Sequence, residues 1–152
     1  MLAIKTKKYV NAVIEAPPSK SYTQRALIVA ALAKGNSTIK NPLFSDDTVY
    51  MISALKQFGI EVDRKGNDLI VHGTHGKLNV PKENIFVGNA GTAMRFLTTL
   101  ASLADGEITI TGDKRMQQRP VQDLLVALNQ LGIRSESNYG CCLLYTSPSP
   151  RD

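Results

Sequence analysis

The feature that most limits the fold of this chain is an internal repeat. The segment ALKQFGI at 54–60 returns as ALNQLGI at 127–133, and VAALAKGNSTI at 29–39 returns as LASLADGEITI at 100–110. The spacing is roughly seventy residues, which is longer than the repeats of common solenoids. The repeat therefore predicts a duplicated helix–strand–helix unit with added strands, which is an α/β (α+β layered) architecture.

Hydrophobic periodicity and turn residues predict the same order of elements in both copies. The first copy is predicted to have helices over 19–34 and 46–58, a strand over 37–41, and a hairpin of strands 61–64 and 68–73. The second is predicted to have strands over 85–87 and 107–111 and helices over 92–104 and 120–131. Ser45 is expected to cap the second helix, Gly35 to end the first, and Pro120 to open the last.

Size and composition limit the class of protein. With 152 residues, 43% of them hydrophobic, the chain can build one globular core and part of another. Its longest strongly apolar run, ALIVAALA at 26–33, is too short to span a bilayer, and residues 1–20 lack a secretory leader pattern. A cytoplasmic protein without membrane contact is expected. The adjacent Cys141 and Cys142 fit neither a disulfide framework nor a zinc site, so no metal is expected.

The net charge of +5 leaves two classes of partner open. A nucleic-acid binder would place its basic residues in a block and interleave aromatic residues that stack on bases. Here the basic residues are scattered and aromatic residues make up only 6%. A small, multiply charged anion is therefore favoured over a nucleic acid.

The segment CLLYTSPSPRD at 142–152 differs from everything before it, with two Ser-Pro pairs and no periodicity. Composition alone favours a disordered C-terminus. As a translated reading frame, however, the string resembles a transposase-type sequencing adapter. Residues 142–152 are therefore interpreted as a non-native tail, which implies that the natural protein continues beyond this chain.

Three predicted helix starts carry a basic residue where the helix dipole disfavours it. They are PPSKSYTQR at 17–25, GNAGTAMR at 88–95 and DKRMQQRP at 113–120. Free backbone N–H groups and a partial positive charge already occupy a helix N-terminus, so an added cation indicates an anionic ligand. Phosphate or carboxylate is the expected ligand group.

Each of these residues also has a purely structural interpretation. Ser19 or Ser21 can act as a helix cap, Arg25 and Arg95 can be solvated, and Gly88 and Gly91 can serve a tight turn. The glycines match neither the Rossmann fingerprint nor a P-loop. Structural roles are also favoured for His72 and His75 at the surface, Asp46 and Asp47 as partners of a helix dipole, and Met51 and Met94 in the core.

Four motifs follow one another along the chain: PPSKSYTQRALIVAALAKG at 17–35, SDDTVYMISALKQFGI at 45–60, VGNAGTAMRFLTTL at 87–100 and GDKRMQQRPVQDLLVAL at 112–128. Together they resemble the 5-enolpyruvylshikimate-3-phosphate synthase family. The resemblance implies transfer of the enolpyruvyl group of phosphoenolpyruvate to the 5-hydroxyl of shikimate 3-phosphate, with release of phosphate. This is a step toward chorismate and the aromatic amino acids, and the family uses no organic cofactor.

The family's fold implies how the chain is divided. Its members have two lobes of three βαβαββ units each, with the ligands in the cleft between the lobes. By this resemblance residues 1–15 are a strand segment of the other lobe, 16–78 the first unit and 79–141 an incomplete second unit. The complete protein is expected to be a monomer.

The family's site residues carry over by motif. Lys20, Ser21 and Arg25 are expected to bind shikimate 3-phosphate. Lys20, Gly91 and Arg119, with Asn89 close by, are expected to line the phosphoenolpyruvate site, where the family also binds the inhibitor glyphosate. Because Gly91 has no side chain, its backbone is expected to approach a phosphate or carboxylate that a Cβ would push away. The family's acid–base groups come from a later part of its chain, so no catalytic residue is expected here and this chain alone is expected to be inactive.

Two positions depart from the family pattern, and alternatives remain open. Phe96 stands where many members have Pro, and Gln24 stands where Asn is frequent. The alternative functions are an anion-binding remnant without catalysis and the related UDP-N-acetylglucosamine enolpyruvyl transferase. The latter carries a KNAAL-like string where this chain has SKSYTQRAL.

Overall fold

The computed structural model describes residues 6–137 and the backbone of residues 144–146. The first repeat forms α1 (Lys20–Leu32), β1 (Lys34–Ile39), α2 (Asp46–Gln57), β2 (Val62–Lys65) and β3 (Asp68–Thr74). The second forms β4 (Ile85–Phe86), α3 (Gly91–Ala101), β5 (Ile108–Thr111), a 3-10 turn (Met116–Gln118), α4 (Gln122–Gln130), β6 (Ser135–Ser137) and β7 (Leu144–Thr146). The order helix, strand, helix, strand thus occurs twice, as the repeat predicts.

The strands form two sheets, and one face of each sheet packs against the helices. The first sheet has the order β1-β3-β2 and is antiparallel throughout, with Ser37 and Val62 both opposite Val71 of the central strand. The second has the order β4-β5-β7-β6, in which β4 and β5 are parallel. Leu69 and Val71 of β3 are buried while their neighbours along the strand are only half-buried. This alternation is typical of a sheet that packs on a core with one face.

The core lies where α1, α2 and α3 pack on one another beneath the two sheets. Fully buried side chains from both repeats join in one cluster, among them Leu27, Leu55, Phe58, Leu97 and Ile110. Burial of each such side chain contributes about 1.5–3 kcal/mol relative to exposure. The cluster therefore fixes the three helices relative to one another, including their N-terminal ends.

The first helix ends earlier than the sequence predicts. α1 stops at Leu32 rather than residue 34, and the N–H of Ala33 donates to the carbonyls of Val29 and Ala30. The carbonyl of Ala33 accepts a hydrogen bond from His75 beyond β3, so the chain turns there and pairs with β3 from Lys34 onward. Gly35 has φ +83° and lies inside β1, so its expected role as the helix terminator is wrong.

The last helix also begins later than predicted. α4 starts at Gln122, so Pro120 is not its first residue. Arg119 is extended, with φ −77° and ψ 133°, because a residue before proline is sterically disfavoured from the helical region. Arg119 therefore lies in an extended link between the short 3-10 turn and α4.

The two predicted serine caps have different outcomes. Ser19 caps α1 by accepting a hydrogen bond from the N–H of Tyr22 at 3.5 Å. Ser45 stands at the N-cap position of α2 but makes no capping hydrogen bond with its side chain. Its hydroxyl lies 3.2 Å from the hydroxyl of Thr48, which draws it away from the backbone N–H groups.

The two ends of the chain differ in what they add to the described fold. Residues 6–19 form no helix or strand and are almost entirely exposed, and their assignment to another lobe stays a prediction, as do the unit boundaries. Of the predicted tail at 142–152, Leu144–Thr146 form β7 between β5 and β6. The remainder, with Cys141 and Cys142, lies outside the described residues. None of the described helices has the length and apolar character needed to cross a bilayer.

Candidate functional site

The N-terminal ends of three helices meet at one cleft of about 520 Å³. Lys20 is the first residue of α1, Asp47 the second of α2, and Gly91 and Thr92 the first two of α3. The residues that line the cleft are Lys20, Asp47, Asn89, Gly91, Thr92, Met94, Arg95 and Arg119. Helix N-termini present unpaired N–H groups and a partial positive charge, so their convergence favours binding of an anionic ligand.

Lys20 and Asp47 form an ion pair across the cleft wall. Nζ of Lys20 lies 2.9 Å from Oδ2 of Asp47, and the two side chains are 49% and 25% exposed. A pair this open to solvent stabilises the fold by less than about 1 kcal/mol. The pair also holds the Lys20 ammonium next to the first turn of α2 at the cleft.

Gly91 and Arg119 are in direct steric contact. A Cβ atom added to Gly91 would collide with Nη1 of Arg119, and no unusual backbone angle is required at this glycine. The missing side chain therefore makes room for the guanidinium group. The sequence-based interpretation was different, since it expected the space to let an anion approach the backbone directly.

Asn89 brings an unpaired amide oxygen to the cleft. It lies in the turn between β4 and α3, and its carbonyl accepts the N–H of Gly91 at 3.0 Å. Its side-chain Oδ1 is buried and has no hydrogen-bond partner among the described residues. Buried polar atoms nearly always have a partner, so this amide is suited to pair with a bound ligand. Rotation by 180° about its terminal bond lets it present either oxygen or NH₂.

Ser21 and Arg25 lie beside the cleft rather than in its lining. Nη1 of Arg25 donates to the carbonyl of Ser21 at 3.0 Å and to the Ser21 hydroxyl. Both side chains are exposed. They form a second basic and hydroxyl-bearing group that begins directly after Lys20 on α1.

The structure thus brings together four of the six predicted site residues, namely Lys20, Asn89, Gly91 and Arg119. Asp47 was not predicted to line the site. Its expected place in the first turn of α2 is confirmed, but its contact with Lys20 joins segments that no local pattern connects. Met94 is buried, as expected for the core, and also reaches the cleft.

Arg95 lines the cleft and connects two of the predicted helix starts. Its Nη2 donates to the carbonyl of Pro120 at 3.1 Å. This hydrogen bond ties α3 to the extended link that carries Arg119. The motif at 88–95 drew attention to Arg95, but its partner could not be read from the sequence.

Residues 4–146 match the family model described as EPSP synthase (3-phosphoshikimate 1-carboxyvinyltransferase). The chain is 43% identical over 137 residues to the 3-phosphoshikimate 1-carboxyvinyltransferase of Methanothermobacter thermautotrophicus, covering 90% of this chain and 32% of that protein. It is 46% identical over 125 residues to the Rhizobium etli protein of the same name, covering 82% of this chain and 30% of the relative. The chain therefore spans about a third or less of the length of these relatives.

Solved structures show the same fold. An EPSP synthase from Acinetobacter baumannii superposes with a TM-score of 0.82 at 23% identity, covering 89% of this chain and 31% of that one. An enolpyruvyl transferase from Streptomyces tendae gives a TM-score of 0.55 at 19% identity, covering 84% and 29%. The predicted fold class is confirmed by these likenesses.

Proposed function

Because the chain belongs to the EPSP synthase family, we propose that its cleft is part of the substrate site of a 3-phosphoshikimate 1-carboxyvinyltransferase. The complete enzyme transfers the enolpyruvyl group of phosphoenolpyruvate to the 5-hydroxyl of shikimate 3-phosphate and releases phosphate. One observation above all supports this: Lys20, Asn89, Gly91 and Arg119, which come from three separate motifs, line a single cleft.

In this proposal the cleft binds phosphoenolpyruvate through charge and backbone dipoles. Lys20 and Arg119 offset the charge of its phosphate and carboxylate, and charge-assisted hydrogen bonds of this kind are the strong ones. With its side-chain amide rotated by 180°, Asn89 presents its NH₂ group and donates an orienting hydrogen bond to an oxygen of phosphoenolpyruvate. The N-terminal ends of α1 and α3 add the partial positive charge of their N–H groups.

Shikimate 3-phosphate binds next to it, at Ser21 and Arg25. These two residues follow Lys20 within the first two turns of α1, so one helix serves both substrates. Lys20 lies between the two substrates and contacts both. This arrangement would hold the 5-hydroxyl near the phosphoenolpyruvate carbon that it attacks. Holding two reacting atoms close together lowers the entropic part of the activation barrier.

The chemistry also needs groups that move protons. The hydroxyl oxygen bonds to C2 of phosphoenolpyruvate as its proton leaves and a proton is added to C3, after which phosphate departs as C3 loses a proton. The chain covers only about 30% of the relatives it matches. We propose that the acid–base groups lie in the remaining part, so that this chain binds substrates without turning them over.

Titration calorimetry on the 152-residue chain tests the proposal. Phosphoenolpyruvate and shikimate 3-phosphate are each expected to bind, and Arg119→Gln is expected to weaken phosphoenolpyruvate about tenfold or more. Arg134→Gln is the matched control, because Arg134 is an exposed arginine paired with Glu136 and does not line the cleft. If neither ligand binds, the proposal fails, and binding of UDP-N-acetylglucosamine instead of shikimate 3-phosphate would favour the related transferase.

A phosphate-release assay with both substrates tests the predicted inactivity. No release above the rate without protein is expected from the chain alone. Release that the Arg119→Gln variant abolishes would show that the chain contains its own acid–base groups. The cytoplasmic, monomeric state of the complete protein stays a prediction of the family resemblance.

A further inference from the structure

The ring of Phe96 lies under the guanidinium group of Arg25. The central carbon of the guanidinium is 5.6 Å from the ring centroid, and the contact joins α3 to α1. Phe96 is half-buried and packs against the core cluster, whereas Arg25 is exposed. The ring is therefore the fixed partner, and the arginine is the one whose position the contact can restrict.

A second set of contacts restricts the same guanidinium group. Its Nη1 donates to the carbonyl and the hydroxyl of Ser21, one turn earlier on α1. Ser21 accepts the hydrogen bonds of Nη1, and the ring of Phe96 lies against one face of the guanidinium group. Nη2 and Nε therefore remain as donors for a ligand. The planar guanidinium group presents such donors at its edge in a fixed fork, which suits a phosphate or a carboxylate.

We propose that Phe96 is a positioning residue for substrate binding, in that its ring holds Arg25 ready to bind shikimate 3-phosphate; this inference rests on the proposed function. A cation over an aromatic face is attracted by the ring quadrupole, and a leucine or methionine of similar bulk lacks that attraction. Phe96 stands where many members of the family have proline, and in this chain its ring contacts Arg25 on the neighbouring helix.

Phe96 and Gly91 belong to the same helix but serve different subsites. Gly91 opens α3 at the cleft beside Arg119, and Phe96 follows more than one turn later against Arg25. Loss of the ring should therefore affect shikimate 3-phosphate and leave phosphoenolpyruvate almost unchanged. A general structural role would affect both ligands together.

The experiment compares three variants of the 152-residue chain at position 96. Phe96→Leu and Phe96→Met remove the ring, and Phe96→Tyr keeps it. Phe44→Leu is the matched control, because the ring of Phe44 lies 4.1 Å from the guanidinium of Arg64 and neither residue lines the cleft. Nitrogen–proton NMR of the Arg25 side chain reports the ring current, and calorimetry gives the Kd for each substrate.

The wild type and Phe96→Tyr are expected to show an upfield Arg25 Nε–H signal that Phe96→Leu and Phe96→Met lose. The Kd for shikimate 3-phosphate is expected to rise about three- to tenfold in the two aliphatic variants and to recover in Phe96→Tyr. The Kd for phosphoenolpyruvate should change by less than about twofold. Phe44→Leu should change neither constant.

Any one of four results would overturn the inference. If the aliphatic variants bind shikimate 3-phosphate as well as the wild type, Phe96 has no positioning role, although the proposed function stands. If Phe44→Leu weakens binding equally, or Phe96→Tyr fails to restore it, the effect is one of general stability. If the wild type itself does not bind shikimate 3-phosphate, the inference and the proposed function fail together.

Discussion

Nζ of Lys20 and Oδ2 of Asp47 lie 2.9 Å apart and join the first turns of α1 and α2 at the edge of the cleft. The carboxylate has two opposite effects on an anionic ligand. It orients the ammonium group, and it repels the anion directly. Between partly exposed groups about 5 Å apart, the repulsion is on the order of 1–3 kcal/mol. Orientation by an exposed pair is worth less than about 1 kcal/mol, so repulsion should dominate.

Asp47→Asn is therefore expected to tighten the binding of inorganic phosphate by about three- to tenfold at low ionic strength, and the gain should shrink at high salt. Lys20→Met is expected to weaken it about tenfold. Asp46→Asn is the control, because Asp46 shares the first turn of α2 but does not line the cleft. Phosphate titrations at two salt concentrations measure all three. Weaker binding by Asp47→Asn would mean that orientation outweighs repulsion.

Gly91→Ala is expected to displace Arg119, because the new methyl group would collide with Nη1 of that residue. Binding of phosphoenolpyruvate should weaken about tenfold, while the free energy of unfolding should change by less than about 1 kcal/mol because Gly91 needs no unusual backbone angle. Gly35→Ala should behave in the opposite way. Gly35 has φ +83° and open space around it, so alanine there should cost about 1–2 kcal/mol of stability and leave binding unchanged.

A double-mutant cycle tests whether Gly91 acts through Arg119. In an Arg119→Ala background, Gly91→Ala should have little further effect on the Kd for phosphoenolpyruvate, since the displaced group is already gone. Calorimetry on the four proteins gives the coupling energy. Additive losses would show that the methyl group obstructs the ligand itself, which is the role that the sequence alone had suggested for this glycine.

Gln24→Met is expected to stabilise the protein. Gln24 is completely buried in α1, and neither its Oε1 nor its Nε2 has a hydrogen-bond partner among the described residues. An unpaired buried polar group costs about 1–3 kcal/mol, and methionine has nearly the same shape without that cost. Urea denaturation should show a gain of about 1 kcal/mol or more in the free energy of unfolding.

Gln117→Met is the contrast for Gln24→Met, because Gln117 is an exposed glutamine whose side-chain amide is hydrogen-bonded. The side-chain Nε2 of Gln117 donates to the carbonyl of Gly112 at 3.0 Å, so its removal should lower the free energy of unfolding by about 0.5–1.5 kcal/mol. Equal effects of the two substitutions would show that Gln24 is paired in solution, for example through a buried water molecule. The sequence marked Gln24 as a departure from the family pattern, but its burial became visible only in the fold.

The elements that the sequence predicted well are those with strong local signals. The bounds of α2 agree to within one residue because two aspartates open the helix and Gly59 follows its end. The errors lie where tertiary pairing competes with local propensity. Gly35 was expected to terminate α1, yet the pairing of β1 with β3 begins before it.

The site shows the same division between local and long-range information. Lys20, Gly91 and Arg119 were named from motifs that resemble the family, and Lys20 and Gly91 do open α1 and α3. Arg119 was expected next to the first residue of the last helix, but it lies in the extended link ahead of α4. The partners of these residues could not be found in this way. Asp47 contacts Lys20, Arg95 contacts Pro120 and Phe96 contacts Arg25, and each pair is far apart along the chain. A single sequence does not show which distant residues contact one another.

Gly88→Ala is expected to be the most destabilising of these substitutions, because it disturbs the turn that carries Asn89. Gly88 has φ +53°, and an added Cβ would collide with the ring of Tyr50 on α2. The backbone strain and the collision together should cost about 2–4 kcal/mol of unfolding free energy. Urea denaturation of the variant measures this loss.

The Tyr50→Ala background separates the two contributions at Gly88. Removal of the ring leaves space for the methyl group, so Gly88→Ala should then cost only the backbone term of about 1–2 kcal/mol. The difference between the two backgrounds is the steric coupling between Gly88 and Tyr50. If Gly88→Ala costs the same in both, the ring does not restrict the turn, and backbone conformation alone accounts for glycine at this position.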